Sequence, residues 1–268
     1  MNKYFSWRRQ FLLIDRFWFE NRKQFLYMVA TTTGLLTVWL GFYLSIWSAN
    51  LFSPKFQIAY YFLGLAASGA LTANFLFSDL RDKPKAISFL LMPSTALEKV
   101  IVGFLFGVVV YGLVYSAAFY VVNATMVSLA NHFFGTKWEI INIFRLGNYI
   151  DPFFDEPANQ LFLKYLALHA LFVSGGLYFS KYSFFKTSLV FLALWILRLL
   201  LPAAYHLFLP LGNFRGALTS FEVFDLNGNK LLEMPGWFNS VFTVFFSFLI
   251  IPILWVFSYF KLREKQIV

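Results

Sequence analysis

Ionisable side chains are scarce in this chain, and where they stand bounds the chemistry it could do. Its only three histidines, His132, His169 and His206, are far apart and form no ligand set at any helical spacing. No Cys occurs, which removes thiolate metal sites, cysteine nucleophiles and disulfides. No phosphate loop of the GxxxxGK[ST] type, no HExxH, no GxSxG and no dinucleotide fingerprint is present. Catalysis by this chain alone is therefore not expected, and each histidine reads as an interfacial or packed residue. Arg198 is the one strong charge deep inside an apolar run. There it costs about 3 kcal/mol on insertion scales, so it either lines a wet path in the bundle interior or is a structural residue that snorkels or pairs with a backbone carbonyl. The remaining chemistry is concentrated in DLRDKPKAISFLLMPSTALEKVIVGFLFG, from Asp79 to Gly107, where Asp79, Arg81, Asp82, Lys83, Lys85, Glu98 and Lys99 crowd between two uncharged runs. Such a segment cannot sit in hydrocarbon. It is a solvated loop joining two helices, or the place where the protein is touched from the aqueous side.

The elements that position these residues follow from composition. Hydrophobic residues are 59% of the 268, charged residues 13%, and the mean hydropathy is +0.65; soluble domains carry about 25% charged residues. The 37 Phe and 14 Tyr suit lipid-facing and interfacial positions. The chain reads as an all-α integral membrane protein of one domain, with no internal repeat and no linker. About twenty apolar residues cross the hydrocarbon, which predicts six spans at about 25–48, 56–77, 100–122, 161–179, 187–209 and 237–260. Tyr4, Trp7, Phe11, Ile14 and Trp18 recur every three or four residues before the first span. Residues 1–23 therefore read as an amphipathic helix in the membrane interface, without a cleavable signal. Gly64, Ser68 and Thr72 share one face of span two, and Gly103 and Gly107 form a GxxxG pattern in span three. Both are places for close helix approach, and for the GxxxG pattern the approaching helix belongs to the same chain, the favoured reading, or to a dimer partner.

Between spans three and four, Trp138, Ile140, Ile141, Ile143, Phe144 and Leu146 suggest a short interfacial helix. Between spans five and six, FEVFDLNGNKLL reads as a hairpin turning at Asn227 and Gly228. Of the 22 Lys and Arg, fifteen fall on the side of the termini, six on the other, and Arg198 lies within a span. Positive residues stay cytoplasmic, so both termini and the charged segment are assigned to the cytoplasm, in an integral inner-membrane protein. The net charge of +9 is accounted for by this asymmetry and by the anionic bilayer surface, not by nucleic acid.

LLMPSTALEKVIVG, with Leu90, Leu91, Pro93, Ser94, Glu98 and Gly103 in order, resembles the segment after the second span of ABC-2 type transporter permeases, the transmembrane subunits of ABC exporters. The resemblance extends in architecture to the N-terminal elbow helix, the six spans, a cytoplasmic coupling helix after span two and small extracytoplasmic elaborations. It implies that two permease subunits, identical or not, dimerise around a central path. It also implies that they are driven by a separate ATP-binding-cassette ATPase subunit, which binds the ATP and Mg while this chain binds no cofactor or metal. Pro84 and Pro93 would bracket a helical piece from about Lys85 to Leu91. On this reading Phe89 and Leu90 are apolar anchors in the ATPase, Arg81, Asp82, Lys83 and Lys85 form a polar rim, and Pro93 and Glu98 belong to the same coupling segment. Two rival readings are a non-transporting membrane anchor subunit and an ion-coupled carrier. The carrier would need carboxylates within the spans, and none of the proposed spans holds an Asp or Glu.

The charge asymmetry predicts labelling by an impermeant maleimide in intact cells. Glu156→Cys and Asn227→Cys should react and Ser94→Cys should be protected; the reverse pattern would invert the topology.

Overall fold

A computed structural model describes residues 5–45, 52–81, 83–143, 158–208, 213–217, 220–224, 230–233, 241 and 245–267. The first element, α1 (Trp7–Ser45), is one helix of 39 residues. This corrects the expectation of an interfacial helix ending at 23 and a separate span beginning at 25. No Gly or Pro interrupts the sequence from Trp7 to Thr33, so nothing breaks the helix where hydrophobicity changes. The helix also turns a different face inward. Trp7 and Phe11 of the apolar stripe are exposed, while Gln10, Leu13 and Phe17 pack on the protein, roughly a quarter-turn away.

Helix α2 (Pro54–Phe75) starts with Pro in its first turn, where the missing N–H costs nothing. A 3₁₀ turn (Ser78–Arg81) leads to the short α3 (Lys83–Leu90). Next, α4 (Ala96–Phe104) passes through a π-helical stretch (Leu105–Val110) into α5 (Tyr111–Phe134). Then follow α6 (Ala158–Tyr178) and α7 (Ser183–Phe208). After a second π-helical stretch (Phe245–Leu249) the last element is α8 (Ile250–Ile267). Between α7 and α8 lie β1 (Asn213–Ala217), β2 (Ser220–Phe224) and β3 (Lys230–Glu233), an antiparallel sheet in the order β1-β2-β3. Strands β2 and β3 pair Glu222 with Glu233, as expected of the hairpin; its Asn227–Gly228 turn lies outside the described residues. Strand β1 has no counterpart in the sequence reading.

Among the described residues, four helical segments are long and apolar enough to cross a membrane: Trp7–Ser45, Pro54–Phe75, Ala96–Phe134 and Gln160–Tyr178. They are compatible with a multi-pass membrane protein. Helix α6 occupies the middle, against α2, α7 and α8, while α1 lies along α4 and α5. Tyr61, Tyr115, Phe119, Ile58, Leu40 and Tyr165 fill one core. Ala73, Phe77, Phe172, Val173, Leu177 and Leu262 fill a second. Small residues allow these approaches. A Cβ on Gly64 would strike Tyr115, one on Gly103 would meet Phe77 at 2.9 Å, and one on Gly107 would strike Leu76 and His169. These contacts lie within the chain, and Ser68 turns its hydroxyl to the Gly64 carbonyl at 2.6 Å.

The chain after α5 departs from the expected interfacial helix. Gly135, at φ 64°, ends α5 in the left-handed conformation that an L side chain disfavours. Residues 136–142 then run without helix, and 144–157 lie outside the described residues. The reason is local hydrogen bonding. The Asn131 carboxamide accepts from Trp138 N at 2.9 Å and donates to Trp138 O at 3.0 Å, pairing with that residue as a strand would. Buried Gln57 does the same one layer deeper. Its Nε2 donates to Phe52 O at 2.7 Å and Glu139 O at 2.9 Å, and its Oε1 accepts from Ile141 N at 3.2 Å and Asn123 Nδ2 at 2.7 Å.

Replacing Gln57 with Leu strands four buried polar groups. It should cost about 3 kcal/mol or more, read as a fall in thermal midpoint in detergent. Asn123→Leu should cost less, because Asn123 Oδ1 already lacks a partner and would be removed with it.

Candidate functional site

The charged segment folds into three pieces whose side chains are tied to different helices. Thr95 and Glu98 form a capping box at the start of α4: Thr95 Oγ1 accepts from Glu98 N at 3.3 Å, and Glu98 Oε2 accepts from Thr95 N at 2.9 Å. Glu98 Oε1 meanwhile accepts from Ser6 N at 2.9 Å and from Arg9 Nη2 at 3.0 Å and Nε at 3.2 Å. One carboxylate, 0% exposed, therefore lies at the positive ends of both α1 and α4. This corrects the assignment of Glu98 to a partner: every contact described for it is internal.

Helix α3 is held between α1 and α4. Lys99, 2% exposed, donates from Nζ to Leu90 O at 3.3 Å and stands 5.0 Å over the Phe89 ring. From α1, Arg16 reaches Ser88 Oγ at 3.5 Å. Phe89 and Leu90 pack inward, Phe89 edge-on to Phe77 at 6.3 Å, so they are not the outward anchors expected from sequence. The helical period instead exposes Ile87 at 59% and Leu91, just past the helix end, at 77%. Lys85, Pro84 and Pro93 are exposed beside them. Pro84 lies in the first turn of α3 rather than before it, where its missing N–H is tolerated. Asp82 and the Lys83 side chain lie outside the described residues.

Arg81 also turns inward. Its Nη2 donates to Asn74 O at 2.5 Å and Asn74 Oδ1 at 2.7 Å, and Asn74 Oδ1 accepts from Ser183 Oγ at 2.7 Å. It thus joins the end of α2 to the start of α7, and burial pushes its guanidinium below the ordinary arginine value. Arg198 falls on α7, but its side chain lies outside the described residues, as does that of His206. His132 is exposed near the end of α5. His169 is completely buried on α6, stacked on Trp255 at 6.0 Å, with its Nε2 against the bare Cα of Gly107. Among the described residues no three His, Cys, Asp or Glu converge on a metal position.

What the sequence reading missed was legible in part. Thr95-x-x-Glu98 is the pattern of a capping box, which accounts for the bond from Glu98 to Thr95 N but not for its burial against α1. Arg9 and Lys99 carried no such signal, since their partners lie far along the chain or in a backbone carbonyl. Comparison with family models, with curated proteins and with solved structures finds no match to this chain.

Breaking the node should be costly. Glu98→Ala removes the carboxylate that accepts from Arg9 and from the backbone N–H groups of Ser6 and Thr95, an expected loss of about 3 kcal/mol. A double-mutant cycle of Arg9→Met with Glu98→Gln should return a coupling of about 1–3 kcal/mol in thermal unfolding, and additive effects would show the pair to be incidental.

Proposed function

We propose that this chain is the permease subunit of an ATP-binding-cassette exporter. The observation that carries the reading is α3, a short helix that presents Ile87 and Leu91 outward while both its flanks are fastened to long apolar helices. A membrane subunit without a nucleotide site must be driven by contact with one that hydrolyses ATP. That contact needs a lever whose displacement reaches the spans. A free loop would absorb a push, whereas α3 passes it to α1 through Arg16 and to α4 through Lys99. The resemblance of LLMPSTALEKVIVG to the ABC-2 permeases supports the same reading.

On this proposal α7 and the stretch to about residue 260 in α8 are the fifth and sixth spans, and both termini are cytoplasmic in the inner membrane. Two such subunits form the path, with ATP and Mg bound by the partner ATPase. Ile87 and Leu91 enter a groove of that ATPase as helix-borne anchors, with Lys85 at the rim. Arg198 is assigned to the translocation path.

The double variant Ile87→Asp, Leu91→Asp should insert and unfold like the wild type, yet lose co-purification with the ATPase subunit by tenfold or more. Unchanged co-purification would refute the coupling role of α3. In the wild type, binding of the ATPase without stimulation of its hydrolysis would instead identify a non-transporting anchor subunit.

A further inference from the structure

The end of the bundle that carries α3 also gathers cations that outnumber the acids beside them among the described residues. Leu262, completely buried among Phe77 and Leu177, pins the last turns of α8 beside the 3₁₀ turn that holds Arg81. Lys261 Nζ stands 5.5 Å over the Tyr178 ring and bonds the exposed Glu264 at 2.8 Å. Lys186 Nζ stands 5.5 Å over Phe179 on the neighbouring turn. Among the described residues no carboxylate pairs with Arg81 or with Lys265. Among the described residues the acids near this corner in the chain are Asp79, in the same turn as Arg81, and Glu264, engaged by Lys261. Arg81 Nε is buried and has no hydrogen-bond partner.

Burial pushes the Lys265 ammonium below its ordinary value, and the like charges of Lys261 and Arg81 add to this against Glu264. Partly buried cations held near one another are unfavourable until an anion lies among them. The surroundings narrow that anion's chemistry. Tyr178, Tyr182 and Phe185 stand exposed around the turn between α6 and α7, rings of the kind that settle at the level of lipid head groups. The exposed apolar side chains of α7, among them Leu189, Leu192 and Leu197, continue from that turn along the length an acyl chain would follow. A soluble anion would use the charges and leave this apolar surface uncovered.

We propose that Arg81, Lys261 and Lys265 bind the phosphate of an anionic phospholipid where the end of α2, the α6–α7 turn and α8 meet. The site is independent of the docking role of α3, and its test does not involve an ATPase. The full chain is placed in nanodiscs of phosphatidylcholine, with or without phosphatidylglycerol, and its thermal midpoint and retained lipid are measured by fluorescence and native mass spectrometry. Phosphatidylglycerol should raise the midpoint and be retained by the wild type. In Lys261→Gln, Lys265→Gln, retention should fall roughly thirtyfold, the loss of two basic residues at a membrane surface, while the midpoint in phosphatidylcholine stays near wild type. Lys261→Arg, Lys265→Arg should restore both readouts. Retention unchanged in the Gln variant would overturn the site. Equal loss in Arg8→Gln, Arg22→Gln would overturn it in favour of general surface attraction. The same rise from inorganic phosphate in phosphatidylcholine discs would assign the pocket to a soluble anion instead.

Discussion

The Glu98 carboxylate is the constraint on which this end of the molecule depends. A buried charge is tolerated only when its lone pairs are occupied, and here a helix cap, a second helix start and an arginine occupy them together. Because Ser6 immediately precedes α1, Arg9 lies in its first turn and Thr95 caps α4, satisfying one carboxylate fixes the beginnings of two helices in register. Helix α1 then runs on for 39 residues without a break, since its start is anchored to protein instead of lying free in the interface. The inward face of α1 follows: Gln10, Leu13 and Phe17 pack on the protein, Ile14 and Trp18 of the apolar stripe lie at the edge of that contact, and Trp7 and Phe11 are left outside.

The same demand for polar satisfaction organises the opposite end. Gln57 and Asn131 each bond backbone groups of the chain after α5, which lets irregular backbone lie against the helices. Within the helices, hydroxyls bond carbonyls of their own turn, as Thr33 does to Val29 and Ser174 to Ala170, so polar residues can occupy apolar surroundings. Among the described residues His169 is one of several exceptions, with Tyr165 OH and Trp138 Nε1 among the others. The His169 nitrogens have no hydrogen-bonding partner in suitable geometry, and the π-helical stretch with Gly107 makes room for its ring. Such π-helical turns often mark places where a helix is adapted to function.

Between these ends, α3 is short enough to have little stability of its own and depends on Lys99, Arg16 and the inward Phe89. Its outward residues are then free for another purpose, because the inward ones suffice to hold it. The basic corner at Arg81 and Lys265 shares this end of the bundle. Docking of a partner and binding of lipid would therefore act on neighbouring helices, α2 joining the two through Asn74 and the turn at Ser78–Arg81.

Hydrophobicity and length are local properties, so the helices around 56–77, 100–122 and 161–179, a short helix ahead of Pro93 and the hairpin of β2 and β3 were legible from sequence. So was the sharing of one face by Gly64 and Ser68, and by Gly103 and Gly107, which follows from helical period alone. Which neighbour each face meets was not legible, because a periodic pattern has no partner written into it. The continuity of α1 was hidden by reading a change in polarity as a break, although only Gly, Pro or a competing cap would have made one. Phe89 and Leu90 read as anchors because they are apolar beside charges; the tertiary structure turned them inward, where Lys99 and Phe77 could cover them, and left Ile87 and Leu91 outside. Glu98 looked like a surface charge and is internal, since its partners lie about ninety residues away, at a separation where only the fold decides what meets.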